Sequence, residues 1–191
     1  MILLTRFAEI PDRSLAAQAP RHWQQRAQRM ARETLRQQEL VVGGLLVESL
    51  RACGMDAAGN IEISVEPHGK PILSPPSRLH FNLSHSHGVA LCVVGDAPCG
   101  CDVERVSSFD DALARHALTE GEYRLLQTAV GEPARREMFF RLWTRKEAYL
   151  KAVGRGLDLE PHLVEAAETP ARSIPAPEGY CAAICEAPKM L

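Results

Sequence analysis

The length, composition and charge of the chain indicate a globular protein with one large domain or two small ones. The 191 residues are 46% hydrophobic and 24% charged, which is close to the average of folded domains and argues against disorder or coiled coil. The 22 Lys and Arg and the 24 Asp and Glu give a net charge of -2. The broad positive surface of a duplex nucleic-acid binder is therefore missing, and we expect no nucleic-acid partner.

The N-terminus and the cysteines predict a cytoplasmic protein. The apolar run from Met1 to Leu4 is shorter than the core of about seven residues that a secretory signal needs. No later stretch approaches the roughly 18 apolar residues of a membrane span, so we expect no membrane partner. In the cytoplasm the six cysteines would be reduced, and we expect them to be buried thiols.

The first helical region is predicted at residues 21–50. It has few Gly or Pro and many Arg, Gln, Ala and Leu, which favours one long helix or two adjoining helices with a weak point at Gly43 and Gly44. Its arginines spread over more than one face of the helix. They form either a solvated surface or a contact with an anionic ligand.

Strands are predicted after this helical region. Residues 61–65 alternate apolar and polar side chains, and a loop rich in Gly and Pro is expected to follow them. The strand pattern returns at residues 79–94, where a polar stretch at 84–88 interrupts it, and again at residues 101–106. The first half of the chain is therefore expected to be helical at its start and then to form several antiparallel strands.

Two further helices and a last strand are predicted in the second half. Thr119 followed by Glu122 is a capping box, which predicts a helix from Thr119 to about Val130, closed by Gly131. Residues 133–153 carry apolar side chains at helical spacing and precede Gly154, a typical residue after a helix C-terminus. The apolar run at residues 180–185 predicts a final strand.

Two acidic residues on the strand at 101–106 form a candidate metal site. Asp102 and Glu104 lie two residues apart, so their carboxylates project from one face with Cα atoms about 6.6 Å apart. A small hard cation fits between two such carboxylates, and magnesium is the natural choice because it prefers oxygen ligands. The same pattern is also common on strands that bind no metal.

The long second-half helix carries a carboxylate and an ammonium next to an aromatic side chain. Trp143, Glu147 and Lys151 follow one another at four-residue steps, which places them on one stripe of the helix. A surface salt bridge worth a few tenths of a kcal/mol is the simplest interpretation. The aromatic end of the stripe instead places the charged pair at the edge of a core, where half-buried charges are often functional.

The polar stretch between the two strand arms is a candidate anion site. Ser84, His85 and Ser86 offer several hydrogen-bond donors to a phosphate. A transition-metal site using His85 and His87 is the alternative. The sequence offers no obvious further soft ligands for it beyond Cys99 and Cys101.

Four motifs in chain order resemble one known family. They are Gly69-Lys70-Pro71; Phe81-Asn82-Leu83-Ser84-His85-Ser86; Cys101-Asp102-Val103-Glu104; and Trp143-Thr144-Arg145-Lys146-Glu147-Ala148 with Lys151, Gly154 and Gly156. Each motif alone is weak, but in this order and at these separations they resemble the 4′-phosphopantetheinyl transferases of the surfactin-synthetase-activating type. The resemblance covers residues 69–157 and is only general elsewhere.

The resemblance implies an α+β fold made of two similar halves. Each half would pack a helix on a small antiparallel sheet, and a pseudo-twofold axis would relate the halves. The boundary implied here gives an N-terminal half at residues 1–98 and a C-terminal half at residues 99–191. Coenzyme A would bind in the cleft between them, and the protein would be a monomer.

The resemblance also implies a reaction and its catalytic residues. The 4′-phosphopantetheine arm of coenzyme A would be transferred to a serine of an acyl or peptidyl carrier protein, with release of adenosine 3′,5′-bisphosphate. Mg²⁺ would be the cofactor, held by Asp102, Glu104 and Glu147. Glu147 would also act as the base, directly or through a water, and Lys151 would stabilise or protonate the leaving group.

The implied contacts of coenzyme A are spread over both halves. They are Lys70, Ser84, His85, Ser86, Lys151 and Arg26. Family members usually carry an Arg where this chain has Glu39. Arg36, one turn earlier on nearly the same side of the helix, would substitute for it, and Arg21 or Arg26 would replace the basic residues of the family nearer the N-terminus.

Two other functions are compatible with these residues. A magnesium-dependent nucleotide diphosphatase could use the same three carboxylates with water as the nucleophile. A non-catalytic module that binds coenzyme A or the carrier protein would need no turnover. Whether a carrier protein gains mass separates these possibilities from the transferase.

Overall fold

The computed structural model describes residues 3–55, 61–75, 77–154 and 160–187. Gly156, which belongs to the last motif of the resemblance, lies outside these ranges. The helices and strands are β1 (Leu3–Glu9), α1 (Arg13–Ala16), α2 (Arg21–Gln28), α3 (Glu33–Ala52), β2 (Ile63–Val65), β3 (Pro71–Leu73), β4 (His80–Ser86), β5 (Val89–Gly95), β6 (Cys99–Arg105), α4 (Asp111–Ala117), α5 (Glu120–Gln127), α6 (Glu132–Val153), β7 (Arg172–Ile174) and β8 (Tyr180–Glu186). Among the described residues, no helix is both long enough and apolar enough to cross a bilayer.

Small antiparallel sheets and packed helices confirm the predicted α+β class. One sheet has the strand order β1-β5-β4 and a second has the order β6-β8-β7, and β2 and β3 form a separate hairpin. All of these pairings are antiparallel. Helix α3 packs on the first sheet, and α6 packs on β6 and β8 of the second.

Strand β5 is buried along its whole length and contributes to two cores. Ala90, Cys92 and Val94 belong to the core that includes α3. Leu91 and Val93 face the other way and pack with residues of β6 and β8. A strand that is covered on both faces is expected to be a continuous apolar run, as this one is.

The predicted helical region at residues 21–50 is confirmed as two adjoining helices, α2 and α3. The weak point expected at Gly43 and Gly44 was wrong, because both lie inside α3. A Cβ on Gly44 would overlap the backbone carbonyl of Leu15 in α1, and one on Gly43 would lie 2.8 Å from Cβ of Trp23. These glycines therefore permit close helix packing.

The predicted interruption at residues 84–88 was also wrong. Ser84, His85 and Ser86 continue β4, and the turn to β5 is His87 and Gly88 alone. His87 adopts the left-handed conformation, with φ of 51°. Because the turn is so short, the polar side chains stay in the strand and alternate between its two faces.

The C-terminal predictions hold with changed bounds and some omissions. The capping box of Thr119 and Glu122 is present at the start of α5, and Gly154 ends α6 in the left-handed conformation. Helix α5 stops at Gln127 rather than near residue 130, and Gly131 precedes α6 as its N-cap. Across the whole described chain, the sequence patterns missed β1, α1, β3, α4 and β7.

The cysteines follow the sequence expectation in their burial. All six lie in the described ranges as free thiols, five of them buried and Cys53 half-buried. Burial raises the pKa of Cys92 and of Cys99 to about 12. These thiols are therefore protonated and act as small apolar side chains.

Replacing Gly44 by Ala should destabilise the protein by about 1–3 kcal/mol, because the added methyl group would force α1 away from α3. Unfolding in urea, followed by circular dichroism, measures this loss. Gly121→Ala in α5 is the matched control, since its nearest heavy atom would lie 3.8 Å away. That variant should be neutral or up to about 1 kcal/mol more stable, and equal stabilities of the two variants would contradict the close approach.

Candidate active site

A close contact between β6 and α6 builds the candidate site. A Cβ on Gly100 would overlap the carbonyl oxygen of Ala148 and would lie 2.9 Å from the carbonyl carbon of Lys151. Without a side chain at this position, the strand and helix backbones can approach closely. The contact places the acidic residues of β6 beside the charged stripe of α6. They surround a cavity of about 230 Å³ lined by Leu83, Ser84, His85, Asp102, Glu104, Trp143, Glu147 and Lys151.

Asp102 is the buried centre of this cluster. Its side chain is 3% exposed, and its Oδ1 lies 2.6 Å from Nζ of Lys151. The same Oδ1 accepts a hydrogen bond of 2.8 Å from Oγ of Ser84. Its Oδ2 is buried and has no hydrogen-bond partner among the described residues. A buried carboxylate oxygen without a partner is costly, and a ligand would satisfy it.

The same surroundings shift the pKa values of the other charged groups in the cluster. Burial raises the pKa of Glu104 and of Glu147, and the neighbouring carboxylate of Asp102 adds to both rises. Burial by itself would lower the pKa of Lys151, but the adjacent Asp102 carboxylate raises it above its usual value. Three carboxyl groups and one ammonium thus share a half-buried position, in which a bound cation would favour the ionised carboxylates.

The cluster has the oxygen ligands that a small hard cation prefers. All three carboxylates offer oxygen donors, and Oδ2 of Asp102 is free to bind. As the side chains stand, the described ranges contain no group of three or more His, Cys, Asp or Glu that could hold a metal ion. Magnesium is commonly held by one or two carboxylates, with water and substrate phosphates completing its shell, so a site of fewer than three protein ligands is compatible with it.

A larger cavity of about 590 Å³ adjoins the smaller one. Leu83, Glu147 and Lys151 line both cavities. The walls of the larger cavity come from the β2–β3 hairpin, from β4 and from the end of α6. The lining residues are His68, Gly69, Lys70, Pro71, Asn82, Leu83, His116, Glu147, Leu150, Lys151, Gly154, Glu160 and Pro161. Residues on both sides of position 98 therefore contribute to it.

Lys70 lines this larger cavity, but its ammonium is held by backbone carbonyls. Nζ donates to the carbonyls of Lys151 at 2.6 Å, Cys99 at 3.1 Å and Ala152 at 3.3 Å. Burial lowers its pKa. Two of these carbonyls belong to the last turn of α6, where a cation is favoured by the helix dipole and by the unpaired carbonyls. Lys70 thus joins the β2–β3 hairpin to the helix that carries Glu147.

Among the remaining predicted contacts of coenzyme A, Ser84 and Ser86 donate hydrogen bonds to the carboxylates of Asp102 and Glu104, whereas His85 and the arginines contact other residues. His85 borders the small cavity, but its ring contacts Gln38 of α3. Arg26 pairs with the buried Glu39 at 2.9 Å, and it lines neither cavity. Arg36 donates from Nε to the carbonyl of Met30 at 2.7 Å.

The soft-metal alternative is contradicted by the position of the cysteines. Cys99 and Cys101 lie in the core between the two sheets, and Sγ of Cys101 donates to backbone carbonyls of Asn82 and Leu91. Burial raises the pKa of both thiols, which disfavours the thiolates that a metal would need.

Two features of the site region escaped the sequence analysis. Asn82 lies two residues before Ser84 and accepts a hydrogen bond from the amide of Cys101 at 2.9 Å; the two-residue spacing could have indicated a shared face. Lys146 and Glu122 form an ion pair with side chains 0% and 2% exposed. Lys146 also donates to the carbonyl of Ala117 at 2.8 Å, so it belongs to the interior and not to the cavities.

Comparison with known proteins agrees with this geometry. Residues 98–185, which include β6, α6 and most of β8, match the 4′-phosphopantetheinyl transferase superfamily. The resemblance inferred from the four motifs, and with it a likeness to enzymes, is confirmed.

Individual relatives extend this match. The chain is 38% identical over 98 residues to the 4′-phosphopantetheinyl transferase gsp of Aneurinibacillus migulanus, covering 51% of this chain and 40% of the relative. It is 31% identical over 121 residues to the 4′-phosphopantetheinyl transferase Sfp of Bacillus subtilis (strain 168), covering 62% and 53%. It is 43% identical over 105 residues to the 4′-phosphopantetheinyl transferase HetI of Nostoc sp., covering 52% and 44%. The chain spans about half the length of the curated relatives it matches.

Replacing Lys146 by Met should lower the free energy of unfolding by about 3–5 kcal/mol, because the Glu122 carboxylate would stay buried without its cation. Burial already lowers the pKa of Lys146. Arg124→Met is the control, since its pair with Glu120 is 75% and 67% exposed and should contribute less than about 1 kcal/mol. If urea unfolding gave the two variants equal losses of stability, the buried pair of Lys146 and Glu122 would contribute no more than the exposed pair of Arg124 and Glu120.

Replacing Lys70 by Met should cost about 1–3 kcal/mol of stability, because three carbonyls lose their donor. Thermal unfolding measures the effect, and Arg78→Met, at an exposed position nearby, is the control. A Lys70 variant as stable as the Arg78 variant would mean that the ammonium does not cap α6.

Proposed function

We propose that the protein transfers the 4′-phosphopantetheine arm of coenzyme A to a serine of an acyl or peptidyl carrier protein. The observation that carries this proposal is the cluster of Asp102, Glu104, Glu147 and Lys151. These four residues lie in the segment that matches the superfamily, and they adjoin a cavity of about 590 Å³. Released adenosine 3′,5′-bisphosphate would be the second product.

In this proposal Glu147 takes the proton of the carrier serine. Burial raises the pKa of Glu147, which makes its carboxylate a stronger base. The serine oxygen forms a bond to the phosphorus that bears the pantetheine arm, and the bond from that phosphorus to the bridging oxygen breaks. The electron pair leaves with the adenosine 3′,5′-bisphosphate.

Lys151 is suited to the leaving group. Its ammonium lies 2.6 Å from Oδ1 of Asp102 and 3.2 Å from Oγ of Ser84, so it is held in place and stays charged. A fixed cation stabilises the negative charge that grows on the leaving oxygen, and positioning and charge contribute most to phosphoryl transfer.

Asp102 and Glu104 would hold Mg²⁺, and Glu147, the third ligand that the resemblance implies, borders the same cavity. When bound, the ion would neutralise charge on the diphosphate of coenzyme A. The buried, unpartnered Oδ2 of Asp102 supports a cation at this position. Removal of divalent ions with a chelator should therefore abolish the transfer.

Coenzyme A would occupy the larger cavity, with Lys70 and Lys151 on its walls. The resemblance also implies contacts of coenzyme A with Ser84, His85, Ser86 and Arg26. Ser84 and His85 border the smaller cavity, Ser86 donates to Glu104, and Arg26 lines neither cavity. The cavity would lie between an N-terminal half at residues 1–98 and a C-terminal half at 99–191, related by a pseudo-twofold axis. Two three-stranded antiparallel sheets in the described chain support this arrangement, and we expect a cytoplasmic monomer.

Intact-mass spectrometry of an apo carrier protein tests the function. The carrier is incubated with the protein, coenzyme A and Mg²⁺, with and without a chelator. A metal-dependent gain of one phosphopantetheine supports the transferase. Release of adenosine 3′,5′-bisphosphate without a gain in carrier mass indicates the diphosphatase instead, and binding of coenzyme A without any product indicates a binding module.

Replacing Glu147 by Gln should reduce the turnover of the carrier by about 10²- to 10⁴-fold, because the amide cannot accept the serine proton. Binding of coenzyme A, measured by calorimetry, should be retained. Glu137→Gln on the same helix is the control, since Glu137 is 62% exposed and lines neither cavity of the site. A Glu147 variant as active as this control would remove Glu147 from the role of base.

A further inference from the structure

Strands β4 and β6 are joined by side chains rather than by a backbone ladder. Three side chains of β4, two residues apart, each accept a hydrogen bond from a backbone amide of β6. Asn82 Oδ1 accepts from Cys101 at 2.9 Å, Ser84 Oγ from Val103 at 3.4 Å, and Ser86 Oγ from Arg105 at 3.2 Å. We call Asn82, Ser84 and Ser86 the β4 ladder.

The β4 ladder completes an edge of the second sheet. Strand β6 pairs with β8 along one side. In an antiparallel pair the amides of alternate residues point to opposite sides, so the amides of Cys101, Val103 and Arg105 face away from β8. Buried amides of an edge strand need partners, and the β4 ladder provides them at the same two-residue spacing.

The two serines of the ladder also hold the carboxylates. Ser84 Oγ donates to Oδ1 of Asp102 at 2.8 Å, and Ser86 Oγ donates to Oε2 of Glu104 at 2.6 Å. A serine hydroxyl has a single proton to donate. Each serine therefore accepts from the backbone of β6 and commits its proton to the acidic side chain next to that backbone amide.

We propose that Asn82, Ser84 and Ser86 are positioning residues, which fix β6 against β4 and orient the carboxylates of Asp102 and Glu104. The serines would act on the carboxylates and would not donate to phosphates of the substrate. The effect on catalysis rests on the proposed function, whereas the hydrogen bonds to β6 do not depend on it.

Amide hydrogen exchange of the whole protein, followed by NMR, tests the ladder without any activity. In Ser86→Ala the amide of Arg105 should exchange about 3- to 10-fold faster than in the unaltered protein, because its acceptor is lost. Ser86→Thr keeps the hydroxyl and should restore slow exchange. Ser64→Ala is the control, since Ser64 pairs with Ser74 in the β2–β3 region and should leave Arg105 unchanged. Unchanged exchange in Ser86→Ala would overturn the ladder.

Steady-state kinetics test the positioning of Glu104. Ser86→Ala should raise the Mg²⁺ concentration for half-maximal rate and lower kcat, with little change in the KM for coenzyme A, and Ser86→Thr should reverse both effects. A raised KM for coenzyme A at an unchanged Mg²⁺ requirement would overturn this role in favour of a phosphate contact. If the unaltered protein modifies no carrier, the proposed function fails, and the exchange experiment alone decides whether the ladder exists.

Discussion

The candidate site depends on the contact of two backbones at Gly100. No side chain separates β6 from α6 there, and the facing residues of the helix, Ala148 and Ala152, are small and buried. Any larger residue at these positions would move the helix outward. The ion pair between Asp102 and Lys151 spans the same interface, so the spacing of the two elements sets the geometry of the charged groups.

The two buried ion pairs of α6 differ in how completely their atoms are satisfied. Lys146 and Glu122 are almost fully buried. The backbone amides of Thr119 and Ala166 also donate hydrogen bonds to the Glu122 carboxylate, so both of its oxygens have partners. Asp102 keeps one oxygen without a partner in the described chain, and Lys151 is 30% exposed. Complete networks stabilise a fold, whereas a buried group left open to a cavity is a candidate for ligand binding.

Sequence patterns predicted the local features of the fold and of the site. The capping box at Thr119 and the shared face of Asp102 and Glu104 follow from spacing alone. The short strands β3 and β7, of three residues each, carry too few residues for a periodic signal. The polar residues Ser84 and Ser86 suggested a break in β4, but they are buried in the strand because polar partners of β6 face them.

Tertiary contacts account for what the sequence could not provide. The ammonium of Lys70 meets carbonyls more than 25 residues away in the chain, with the separation reaching 82 residues for Ala152. The pairing of Arg26 with Glu39 depends on how α2 folds back on α3. No local spacing reports such contacts, so the roles expected for these cations could not include them.

The burial of β5 on both faces makes the two cores depend on each other. Its alternate residues pack with α3 on one side and with β6 and β8 on the other. Loss of either core would uncover apolar surface of the same strand, so neither sheet can open at a small cost while the other stays folded. We therefore expect thermal denaturation to be a single cooperative transition, and a chain cut between β5 and β6 to yield two fragments that fold by associating with each other.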